Sequence, residues 1–247
     1  MNTVELDILI PAFIAGGLIL VTHIPLGIKV LQRGIIFADL AVAQIAGLGI
    51  VIAGLIGMAE HPVALQVIAV TSALLGAGLL AYTEHRHAET QEAVIGLLFV
   101  LAASGSVLLL SSDTHSGEHL KDLLIGQILW VNSTQLIATA CLSAALLLAW
   151  PWLKQHLGSL GFYAAFALAV TASVQLAGVY LVFASLIVPA LATLRCVNHR
   201  LAFAFLVGLG GYALGLLSSV WFDLPAGAAI VWAMSGCGAA VALYQRA

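Results

Sequence analysis

Residues 27–49 read GIKVLQRGIIFADLAVAQIAGLG, with Lys29 and Arg33 lying between two long apolar runs. Asp39 stands six residues past Arg33, inside the second run, and Gln44 lies further in. A carboxylate within a membrane segment faces a cost of about 2.5–3.5 kcal/mol on insertion scales. A chain keeps such a group when it is neutralised or when it does something. The stretch therefore predicts a chain that crosses a membrane repeatedly and holds a polar site between its helices.

Composition points the same way. The 247 residues are 62% hydrophobic and 8% charged, against about 25% charged in soluble domains. The expected fold class is all-α, a polytopic transmembrane helical bundle. The net charge of −3 comes with no basic patch, so nucleic acid is not an expected partner. Cys141, Cys196 and Cys237 stand apart and form neither a disulfide framework nor a zinc spacing. The start, with Glu5 and Asp7, is acidic where a signal peptide is basic, so the first apolar run is read as a span.

A spanning helix needs about 20 mostly apolar residues. Runs of that kind cover 8–28, 34–57, 62–82 and 93–110, before a polar break at 111–122. A short run at 123–131 follows, then spans at 136–150, 160–177, 179–194, 201–220 and 226–244. Eight or nine crossings are expected, in one permease domain, 1–247. With the N-terminus outside and 123–131 not crossing, Lys29, Arg33, Arg86, Lys154, Arg195, Arg200 and Arg246 fall on the cytoplasmic side. Only Lys121 falls outside, as the positive-inside rule asks. Gly47, Gly49, Gly54 and Gly57 in one span, and Gly208, Gly211 and Gly215 in another, serve close helix packing or packing around a conduit.

The polar residues are few. His23 and Asp39 each lie eight residues from Leu31, so a helix pair connected at 29–33 would hold them at similar depth. An imidazole and a carboxylate can pair, share a proton or bind a transition metal; a structural hydrogen bond is the plain alternative. Gln44 lies about 140° around an ideal helix from Asp39. It joins the same ligand only through an irregular helix, and otherwise bonds a neighbouring one. His115 and His119 are four apart in a loop that also holds Asp113 and Glu118, either a metal-gathering outer mouth or a solvated loop. Glu84, His85, Arg86, His87 and Glu89 make a similar cytoplasmic cluster, solvated or metal-sensing. His61, His156 and His199 sit at span ends and receive no ligand role. No phosphate-binding GxxxxGK[ST] loop occurs, so the chain has no recognisable means of using ATP itself.

Three further stretches carry a resemblance. They are Glu92-Ala93-Val94-Ile95-Gly96; Leu123-Leu124-Ile125-Gly126-Gln127-Ile128-Leu129; and residues 178–193, GVYLVFASLIVPALAT, followed later by Asp223-Leu224-Pro225-Ala226-Gly227-Ala228. Together with the basic connection and Asp39, in this order from about residue 20 to 235, they resemble the membrane permease subunits of zinc/manganese ABC importers. The resemblance implies a homodimeric permease in the cytoplasmic (inner) membrane. An ATP-binding subunit would sit inside and an extracytoplasmic metal-binding protein outside. A transported divalent ion would be the cargo, with no resident cofactor and no enzymatic activity in this chain. It also implies that residues 189–201, with Pro189, Arg195 and Arg200, form the element that couples to the ATPase. The family pattern has a histidine four residues after the aspartate, and here that position is Ala43. Either His23 replaces it, or the ion passes with fewer protein ligands, or the cargo is a chelated metal or cobalamin-like molecule. Zinc accepts mixed nitrogen and oxygen ligands, whereas manganese prefers more oxygen, so zinc is favoured. An intramembrane metalloprotease would need a motif such as HExxH within a span, and none is present.

Overall fold

The computed structural model describes residues 3–58, 61–86, 88–110, 127–196 and 198–245. Among these residues there are eight α-helices and no strand: α1 (Thr3–Arg33), α2 (Ala38–Leu55), α3 (Pro62–Arg86), α4 (Gln91–Leu110), α5 (Ser133–Ala177), α6 (Val179–Ala192), α7 (Arg200–Phe222) and α8 (Ala226–Tyr244). Helices satisfy every backbone donor within one segment, which a lipid interior demands.

By length and composition, seven of these helices can cross a membrane. The longest, α5, would span about 68 Å at 1.5 Å per residue, more than twice a hydrocarbon core of about 30 Å. It is broken at Gly158, whose φ of 53° and ψ of −119° are not helical, so it divides into two arms. With the 14-residue α6 the helical segments agree with the eight or nine expected crossings.

Two boundaries differ from the sequence reading. α1 continues through Lys29 to Arg33, because Lys, Leu, Gln and Arg are good helix formers and long cations can reach the interface from the last turn. The turn comes at Gly34, with φ of 70°, so the connection to α2 is 34–37. The first arm of α5 also runs on through Pro151, to end only at Gly158.

The chain gathers into two compact units. One comprises Met1–Arg33, Leu124–Leu147 and Ser173–Ala247. Its helices meet where small residues let backbones approach. Gly16 of α1 lies under the Tyr212 ring of α7, Gly27 lies against the Leu186 carbonyl of α6, and Gly215 of α7 lies against the Ile230 backbone of α8. The Tyr212 hydroxyl is 3.0 Å from Ser185 Oγ, which satisfies two polar groups in this apolar seam. Between α5 and α6 stands a single residue, Gly178, with φ of 78° and ψ of 161°. Its amide donates to Val174 and its carbonyl accepts from Val182.

The other unit comprises Gly34–Leu123 and Leu148–Ala172. Here α2 packs on α3 at Gly49, against Ser72, and α3 packs on α2 at Gly76, against Ile45. Buried Gln91 donates Nε2 to the Leu80 carbonyl at 2.9 Å and to the Tyr163 hydroxyl at 3.3 Å. Ser159 donates to Glu84 and joins the end of α3 to the residue after the break in α5.

Candidate functional site

Asp39 lies in the first turn of α2 and is 1% exposed. Neither carboxylate oxygen has a hydrogen-bond partner. A buried carboxylate without partners is expensive, and the helix N-terminus offsets only part of that through its dipole.

The N-terminus of α2 is closed by a second acid. The Phe37 amide, at the N-cap, donates to Glu92 Oε1 from the first turn of α4 at 3.3 Å. Glu92 Oε2 is buried without a partner. The residues 92–96 that helped carry the resemblance thus begin with the side chain that holds the start of the Asp39 helix. The sequence reading gave Glu92 no role. Its only signal was a carboxylate at the start of a span, which looks like any interfacial acid. Gln91 beside it was also missed, although a buried glutamine needs partners.

His23 is fully buried in α1. Its Nδ1 lies 3.0 Å from the Ile19 carbonyl and 3.0 Å from Thr22 Oγ1. A carbonyl only accepts, so the Nδ1–H tautomer satisfies the Ile19 bond and leaves Nε2 with its lone pair. Nε2 is buried and without a partner. A backbone carbonyl fixing one ring nitrogen while the other faces a ligand is the usual outer support of a metal-bound histidine. Residues 16, 20, 23 and 27 fall within about 60° on one helix face. Since Gly16 meets Tyr212, Leu20 meets Gly208 and Gly27 meets Leu186, the His23 face of α1 is the face that packs on α6 and α7.

Gln44 is half-buried in α2, and Ala43 is buried. Among the described residues, no group of three or more His, Cys, Asp or Glu is placed to hold a metal. His115 and His119 lie outside the described residues. In the cluster that begins at Glu84, Glu84 accepts from Ser159, and Arg86 lies 5.7 Å from the centre of the Tyr82 ring. Pro189 is buried within α6, Arg195 is exposed in the connection that follows, and Arg200 opens α7, half-buried.

The model of the ABC 3 transport family matches residues 5–167 and 153–243. Among solved structures, the chain is similar to PsaBC from Streptococcus pneumoniae, solved in complex with Fab, at 21% identity. The TM-score is 0.74, over 99% of this chain and 95% of that one. It is also similar to a transporter described as of the metal-chelate ABC type in an inward-facing conformation. There the identity is 18% and the TM-score 0.65, over 96% of this chain and 85% of that one. At these identities the two likenesses carry the fold. No curated protein matches the chain. The family match, covering nearly every helix, carries the identity: the chain belongs to the ABC 3 transport family, as a membrane permease whose ATP hydrolysis lies in a separate subunit.

Proposed function

We propose that the chain imports a divalent transition metal ion, zinc before manganese, across the cytoplasmic membrane by alternating access, as one of two permease copies. An extracytoplasmic binding protein delivers the ion, and an ATP-binding subunit docks on residues 189–201. Asp39 is the main polar contact along the path, and His23 offers a nitrogen donor through Nε2. Gln44 is a minor contact, and His115 and His119 gather metal at the outer mouth. The observation that carries this reading is the buried Asp39 carboxylate with both oxygens unspent. A transport site gains from being incomplete, because a deep well would stop release. In liposomes holding the permease with its ATPase, zinc and manganese should each be tested for stimulation of ATP hydrolysis and for entry. Stimulation by neither ion would sink the reading.

A second reading is favoured by Ala43, which stands where the family pattern has histidine. The same machine would then carry a chelated metal or a cobalamin-like molecule. Competition between free ion and chelate in the same liposomes separates the two.

A further inference from the structure

The connection between α6 and α7, described at 193–196 and 198–199, is held in shape from within at its α6 end. Thr193 Oγ1 donates to the Pro189 carbonyl at 2.8 Å. The amides of Leu194 and Cys196 donate to the carbonyls of Leu191 and Thr193 at 3.2 and 3.1 Å. Carbonyls that a helix end leaves unpaired are thereby satisfied.

Two further side chains reach this region from neighbouring helices. Arg200, the first residue of α7, turns back and donates Nη2 to the Ala190 carbonyl at 3.3 Å, with its Nε buried. Gln245, at the end of α8, donates Nε2 to Cys196 Sγ at 2.9 Å. The packing beneath explains why both arrive. Gly238 lies seven residues before Gln245, on the same face of α8. A Cβ at Gly238 would press on Val188 Cγ1 at 2.9 Å and lie 3.5 Å from Ala192 Cβ, both on α6. Val207, seven residues after Arg200 and on the same face of α7, meets the same point at 3.7 Å. So α7 and α8 both run along the last turns of α6, and each ends in a polar side chain on its terminal region. Arg195 differs, being exposed in the turn itself.

We infer that Arg200 and Gln245 are positioning residues that brace the α6–α7 connection, leaving Arg195 as its outward charge. The inference rests on the reading that this connection docks on the ATPase. A braced connection does not bend when pushed. It passes displacement to α6, α7 and α8 together.

The test uses the permease–ATPase complex in liposomes, with zinc chloride and manganese chloride as probes. It reads how much ATPase subunit the permease retains, and the ratio of ATP turnover with metal to turnover without it. Gln245→Met and Arg200→Met remove the donors at similar volume. They should keep the subunit while the turnover ratio falls several-fold. Arg200→Lys, which keeps a donor, should recover most of it. Arg195→Glu should instead lose the subunit. Wild-type ratios in Gln245→Met and in every Arg200 variant that inserts would overturn the bracing role while leaving docking intact. An Arg195→Glu permease that keeps its subunit and couples normally would overturn the docking reading itself.

Discussion

Gly27 of α1 lies so close to the main-chain carbonyl of Leu186 in α6 that a Cβ at position 27 would overlap its oxygen. Both backbones are helical there, so neither can yield locally. Gly27→Ala should therefore push the two helices apart and lower stability by about 1–3 kcal/mol, the range for overfilling a packed core. Thermal unfolding in detergent reads this directly. A midpoint equal to wild type would mean that the seam is looser than its geometry.

Asp39→Asn keeps shape and removes charge. Because neither oxygen has a protein partner, no hydrogen bond is lost, and burying a neutral amide is easier than burying a carboxylate. The variant should melt no lower than wild type, while metal uptake falls about tenfold or more, equivalent to about 1.4 kcal/mol. Normal uptake would remove Asp39 from the mechanism.

For His23, the metal itself is the discriminating variable. Imidazole suits zinc better than manganese, which prefers oxygen donors. His23→Gln should depress zinc uptake several-fold more than manganese uptake. An equal loss for both ions would assign His23 to the α1 packing face and not to the ion.

Glu92 closes the start of the Asp39 helix through one oxygen. Glu92→Gln keeps an acceptor for the Phe37 amide, whereas Glu92→Ala removes that acceptor, at about 1 kcal/mol for a lost cap. Uptake should fall in the alanine variant and largely return in the glutamine variant. If both are equally impaired, the carboxylate charge matters and the capping explanation fails.

Much of the fold was legible because the lipid interior imposes one rule on every segment: about 20 apolar residues, helical throughout. That rule located the spans. It misjudged their ends at 29–33, where the chain stayed a good helix former, and at Pro151, which the helix carries despite the residue's poor propensity, since hydropathy marks where lipid begins and not where a helix stops. Asp39 was conspicuous in the sequence as a lone acid among apolar residues. Glu92 was not, because its hydrogen bond to Phe37 joins residues 55 apart and a cap supplied by another helix leaves no local spacing. The arginines at 195 and 200 looked alike as letters. They part ways only when one is seen exposed and the other folded back on the Ala190 carbonyl.

Gly178 has a consequence for movement. A one-residue corner contains no slack, and here both its amide and its carbonyl are already committed to the helices on either side. α6 therefore cannot slide along its own axis without breaking those bonds, and any displacement of its far end becomes a swing about a fixed hinge pin. Only glycine tolerates the backbone angles of that pin, so a side chain at 178 would jam the joint and leave the rest of the lever intact.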